Sequence, residues 1–230
     1  MTTSGTTAFN LDLLELIEEA GERAGFELRS GYDFRSARRS MNLMFADWAN
    51  RGLNMFTFEQ GSQVLTSGTA TYTLPADTVD LMEATIRTGA GNAATQTDIT
   101  ISRISVSTYS SIPNKLQQAR PLQYLVRRTT DGPILNLWPV PDPSQTYTLV
   151  YWRLRRIEDA GNGDNTMDVP FRFMPCMVAG LAYYLAIKRP ESADRIQMLK
   201  AQYDEAWMLA SDEDREKASV RFIPRASQLR

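Results

Sequence analysis

Met55-Phe56-Thr57-Phe58-Glu59, followed closely by Gln63-Val64-Leu65, is the stretch that decides the fold. Upstream of it apolar residues recur every three or four positions, the spacing of a helix face; from residue 55 they alternate, the spacing of a strand. Ser67-Gly68 then signals a turn, and Thr71-Tyr72-Thr73-Leu74 reads as the returning strand, stopped by Pro75. The alternation continues, predicting strands over 79–88, 97–103, 121–129, 133–138 and 146–154. A short helical segment is expected within 104–119, opening at Ser105 to Tyr109 and interrupted at Pro113-Asn114-Lys115. Asp131-Gly132 signals a tight hairpin, and Pro139, Pro141 and Pro143 stiffen the connection after it.

Both flanks are helical in pattern. Residues 10–28 place Leu13, Leu16, Ile17, Ala20 and Ala24 on one stripe, with Asn10 as cap and Glu15, Glu18, Glu19 and Glu22 outside. Ser30 and Asp33 fit a capping box for a second helix over 33–51, whose stripe runs Phe34, Ala37, Met41, Met44, Phe45 and Trp48, and which Gly52 ends. Helix returns after the loop 158–168, with Asp168 as cap. Residues 171–188 are apolar on nearly all sides, the mark of a helix buried in a bundle, and Pro175 should kink it or mark its true start. Ser192 is placed to cap a last helix reaching about residue 217, with the stripe Ile196, Leu199, Tyr203, Ala206, Trp207 and Ala210.

The expectation is an α+β protein: a helical bundle formed by the N- and C-terminal helices, carrying a β-rich insertion of sandwich or barrel-like form. Residues 1–9, rich in Thr and Ser and without a secretory pattern, read as a flexible tail. Residues 10–54 and 166–218 make a discontinuous helical domain, and 55–165 the insertion. Residues 219–230 form an arm in which Val220, Phe222 and Ile223 are apolar and Arg221, Arg225 and Arg230 are basic, with no acid among the last ten residues. An apolar-basic arm after a long helix reads as a docking element.

Composition removes several kinds of chemistry. There is no histidine, hence no histidine base, ligand or triad. The single cysteine, Cys176, rules out an internal disulfide and thiolate zinc sites, fits a reducing cytoplasm, and reads as a buried inert thiol in an apolar helix. Net charge is −2, so no global pull toward nucleic acid exists. No apolar run is long enough to span a membrane.

The remaining motifs are weak. Gly89-Ala90-Gly91-Asn92-Ala93-Ala94 matches a dinucleotide fingerprint in letters, but strand rather than helix follows, so it reads as a hairpin loop. The loop from Asp159 to Asn165 gathers oxygen atoms without the register of a calcium loop. The paired acids Glu18/Glu19 and Asp212-Glu213-Asp214 lie on polar helix faces, unlike the buried, spaced pair of a glycosidase. Two arginine clusters stand out: Arg35, Arg38 and Arg39, and Arg153, Arg155 and Arg156 beside Tyr151 and Trp152. Of 25 basic residues, 21 are arginine, the basic residue favoured at protein interfaces. The clusters read as contacts between subunits or with partners, and alternatively as a grip on nucleic acid.

Gly68-Thr69-Ala70-Thr71-Tyr72-Thr73-Leu74-Pro75, then Ile134-Leu135-Asn136-Leu137-Trp138-Pro139-Val140-Pro141, then Tyr151-Trp152, set between two helices before and two after, resemble the head-to-tail adaptor (connector) proteins of short-tailed phages. The resemblance spans nearly the whole chain. It implies a structural protein with no catalytic, cofactor or metal site, assembled in the host cytoplasm and located at the head–tail junction of the virion. It implies a ring of twelve copies docked on the portal protein, a tail nozzle or tail hub protein as the other partner, and DNA passing through without specific binding. The helical part would line the channel, and the arm carrying Val220, Arg221, Phe222, Ile223, Arg225 and Arg230 would reach along the portal. A nucleic-acid-binding virion protein and a wall-degrading enzyme are the competing readings.

Overall fold

The computed structural model describes residue 5 and residues 11–51, 55–162 and 164–215. Asn10, Gly52 and the arm from Ser219 to Arg230 lie outside the described residues. The chain divides into two compact units: residues 1–44, 54–56 and 160–230, and residues 45–53 and 57–159.

The first unit is helical. Helix α1 (Leu13–Ala24) starts at Asp12 rather than Asn10, because Asp12 and Glu15 cap each other's backbone N–H groups at 2.8 and 3.1 Å. Gly25, at φ 89°, closes it in the left-handed conformation that glycine tolerates. Its apolar stripe, Leu13, Leu16, Ile17, Ala20 and Ala24, is buried. Helix α2 (Gly31–Arg51) opens on the Ser30–Asp33 box, with Ser30 Oγ accepting from the Asp33 N–H at 3.2 Å. Its residues to 44 belong to this unit and the rest to the second.

Helix α4 (Met174–Ala186) is the centre of the unit, and Pro175 stands in its first turn, where the missing N–H costs nothing. A 3-10 turn, Phe171–Phe173, precedes it; Pro170, without a side-chain cap, holds the position expected for Asp168. Residues Cys176 to Ala182 are all buried, packed by α1 and by α5 (Ile196–Glu213). At Gly180 a Cβ would lie 2.5 Å from Met44 Sδ and 2.7 Å from the Tyr203 ring, so α2 and α5 both close on that point. Ser192 does not cap α5. It sits in a 3-10 turn, Pro190–Arg195, buried, donating from Oγ to the Ala24 carbonyl at 2.8 Å.

The second unit is two open four-stranded sheets; neither closes into a barrel. One has the order β1 (Phe58–Val64), β8 (Tyr147–Arg155), β3 (Thr78–Thr88), β4 (Thr97–Thr100). The other runs β2 (Thr71–Thr73), β7 (Gly132–Trp138), β6 (Gln123–Thr129), β5 (Ser102–Arg103). A single core, including Tyr72, Leu135 and Leu137 from one sheet and Leu81, Ile86, Leu149 and Tyr151 from the other, joins them as a sandwich. The short helix α3 (Val106–Ser111) is capped by Ser105. β6 and β7 form the hairpin at Asp131-Gly132, with Thr129 paired to Gly132. Gly89 to Gln96 is the loop of the β3–β4 hairpin, whose last pair is Thr88 and Thr97.

Two strand expectations need correction. Met55–Thr57 is a 3-10 turn, so β1 begins at Phe58. The Thr71–Thr73 strand does not return along β1: β2 pairs with β7, while β1 pairs with β8, nearly the whole sandwich further along the chain.

Candidate interaction surfaces

Arg35, Arg38 and Arg39 of α2 are exposed, with no carboxylate beside them among the described residues. Arg35 Nε donates to the Gly31 carbonyl at 3.2 Å, and Arg38 Nη1 to the Gly161 carbonyl at 3.4 Å. Arg39 is exposed and close enough to Lys188 to act on its charge. Lys188, just beyond α4, donates to Ser40 Oγ at 2.6 Å and to Ser36 Oγ at 3.1 Å, neutral acceptors both. Burial, then the Arg39 guanidinium, hold its pKa below the ordinary lysine value. Its neighbour Arg189 differs: it pairs with Asp33 at 2.6 Å and stacks 4.7 Å over the Phe26 ring. The hydrogen bond from the Ser30 side chain, ahead of the Arg189 charge, keeps the Asp33 pKa low despite some burial.

The β8 arginines are not one cluster. Arg153 is 7% exposed; its guanidinium donates to Glu59 and Asp77, each at 2.6 Å, and to Thr78 Oγ1 at 2.9 Å. It ties β1 and the start of β3 to β8. The hydrogen bond from Arg153 holds the Asp77 pKa low against a smaller burial effect. Arg156 is exposed and donates to the Ala76 carbonyl, while Arg155 is half-buried. Trp152, beside them, is 45% exposed on the face opposite Arg153.

The acids of α1 form the other charged surface of the helical unit. Glu19 pairs with Arg23 at 2.7 Å and Glu15 serves the cap, whereas Glu18 and Glu22 have no cation on them among the described residues. Beside them, between α4 and α5, runs a groove of about 440 Å³ lined by Pro175, Ala179, Met198, Glu205 and Leu209, with Arg23 at one edge. Met198 and Leu209 are more than half exposed.

Sequence reasoning missed the partners of Arg153 and the exposed apolar residues that flank the arginines, Tyr32 and Leu43 on α2, at 66% and 63% exposure. The second had a signal, since both lie off the buried stripe. Among the described residues no three or more His, Cys, Asp or Glu side chains come together to hold a metal, and no helix is long and apolar enough to cross a membrane. The Asp159–Asn165 loop is organised internally, Asn165 Oδ1 accepting from the Asn162 N–H at 2.6 Å. Residues 11–225 match the model of a protein family described as SU10 adaptor protein. No curated protein matches the chain.

Proposed function

The chain belongs to the SU10 adaptor protein family, a structural adaptor family of bacteriophages, and on that premise we propose that it forms the ring joining the portal of the capsid to the tail and continuing the DNA channel. The observation that carries this reading is the extent of the match, which covers both units and runs into the arm as far as residue 225. The partners are the portal protein on one side and a tail nozzle or tail hub protein on the other, and the ring holds twelve copies at the head–tail junction of the virion. DNA passes without specific binding, and the chain performs no turnover.

Two surfaces carry the assembly. The arm, with Val220, Phe222 and Ile223 as apolar anchors and Arg221, Arg225 and Arg230 as charges, docks on the portal. Arg35, Arg38, Arg39, Arg155 and Arg156 serve contacts between chains; Arg153, enclosed by Glu59, Asp77 and Thr78, works inside its own unit. The test is to mix the chain with its portal and image the product in negative stain. Rings on the portal are expected, and deleting residues 219–230 should remove them while the circular-dichroism spectrum of the remaining chain is retained. Attachment unchanged by the deletion would refute the docking arm, and persistent failure of the full chain to bind any portal would refute the adaptor ring.

A second reading, a nucleic-acid-binding virion protein, draws support from the absence of carboxylate partners at Arg35, Arg38, Arg39 and Lys188 among the described residues. It predicts steeply salt-dependent DNA binding.

A further inference from the structure

Two exposed helix faces in the helical unit carry matching patterns. On α2 the residues Tyr32, Arg35, Arg39 and Leu43 follow each other at helical spacing and share one side, apolar at both ends and basic between. On α5 the residues Met198, Gln202, Glu205 and Leu209 do the same, apolar at both ends and polar to acidic between. In each set the end residues stand eleven positions apart, about 16 Å along a helix. All eight side chains are exposed. The α5 set borders the groove between α4 and α5, which Pro175 and Ala179 floor with apolar surface. The cation at its edge, Arg23, is already engaged by Glu19.

We propose that the α2 face of one chain seats in the α4–α5 groove of a second copy, and that this contact, repeated head to tail, is the lateral joint of the ring. The inference rests on the ring reading given above and names the surface that mates with its α2 arginines. The two faces are complementary and different, so the contact is heterologous and propagates around a ring instead of stopping at a dimer. Tyr32 and Leu43 cover Met198 and Leu209, apolar surface that otherwise stays wet. Whichever way the helices run, one of Arg35 and Arg39 falls opposite Glu205. Arginine and tyrosine are the side chains that interface centres favour.

The test uses cysteine pairs, since the native Cys176 is buried. One full-length variant carries Leu43→Cys with Met198→Cys, for antiparallel helices; another carries Leu43→Cys with Leu209→Cys, for parallel helices. Each is oxidised both on its portal and alone at high concentration, then run on a denaturing gel. One of the two should give a ladder of covalent oligomers beyond the dimer, while Leu43→Cys alone stops at the dimer. Arg35→Glu with Arg39→Glu should cut ring formation at least tenfold, and so should Glu205→Arg. Mixing these two charge-reversed chains should restore part of it. A ladder on the portal supports both the joint and the ring. A ladder only in the isolated chain supports the joint and overturns portal attachment. Portal-bound rings without a ladder in either variant, or rings indifferent to the charge reversals, overturn this joint and leave the adaptor reading standing. Neither ladder nor attachment overturns both.

Discussion

At Asp80, on β3, two arginines of the opposite sheet meet one carboxylate: Arg103 of β5 at 3.0 Å and Arg128 of β6 at 2.6 Å. The carboxylate is 18% exposed while the arginines reach it from more open positions, so it fastens one sheet to the other at the margin of the sandwich core. Burial pushes the Asp80 pKa up, but the hydrogen bonds from Arg103 and Arg128 together outweigh it, and the net shift is downward from 3.8. A carboxylate whose folded pKa is lowered adds stability above its unfolded pKa and loses it as pH falls through the folded value. Asp80→Asn should therefore lower stability by about 1–2 kcal/mol at pH 7, the worth of charged hydrogen bonds at a part-exposed site. The gap between variant and wild type should close as pH drops below about 4. Urea unfolding of both proteins from pH 7 to pH 3 measures it; a gap that is constant with pH would mean that the charge of Asp80 is immaterial. None of this was legible in the sequence. Asp80 reads as one more polar position in a strand, and its partners lie 23 and 48 residues away. The same holds for Arg153, which local reading grouped with Arg155 and Arg156 although its acids come from β1 and the start of β3.

Helices were legible at the scale of the element, because a single chain's periodicity states which side is buried. The apolar stripes of α1 and α2 and the all-round apolar α4 are buried largely as their spacing requires. Strand positions were legible for the same reason, but strand partners were not: alternation specifies a buried side and leaves the neighbour open. Hence β1 and β2, close in sequence, lie in different sheets. Caps were less legible: Asp12 caps α1, while Ser192 lies in a 3-10 turn and bonds to Ala24 instead of capping α5. Gly180 is a case in which local propensity and packing oppose each other. Inside an exposed helix, Gly→Ala stabilises by about 1 kcal/mol. Here the added methyl meets Met44 Sδ at 2.5 Å and the Tyr203 ring at 2.7 Å. The methionine is able to yield, but the tyrosine is wedged, with 1% exposure and its ring stacked on Tyr183 at 6.3 Å. Gly180→Ala should destabilise the protein by about 1–3 kcal/mol, the usual cost of overpacking. A rise in thermal midpoint instead would show that the three helices separate at this point without penalty.

For the molecule as a whole, the decisive quantity is how much positive charge is left for a passing polyanion. With 25 basic and 27 acidic residues, the net charge is −2. Several arginines, among them Arg23, Arg51, Arg87, Arg103, Arg128, Arg153 and Arg189, are paired with carboxylates inside the chain. On α2 and just beyond α4, Arg35, Arg38, Arg39 and Lys188 have no carboxylate partner among the described residues, and if all four met phosphates they alone would make the logarithm of the DNA-binding constant fall with the logarithm of salt at a slope of about −3 to −4. The proposed joint covers Arg35 and Arg39 with the next chain. The isolated chain should therefore bind duplex DNA weakly with a slope up to about −4, and the ring on its portal with a slope, per subunit, nearer to about −2. A channel needs that outcome, because phosphate contacts repeated around a ring would otherwise hold the DNA it must release. Fluorescence anisotropy with a short labelled duplex between 50 and 300 mM salt decides the matter. A per-subunit slope that is as steep in the ring as in the free chain would leave the α2 arginines open to DNA, and would favour the nucleic-acid-binding reading over the joint.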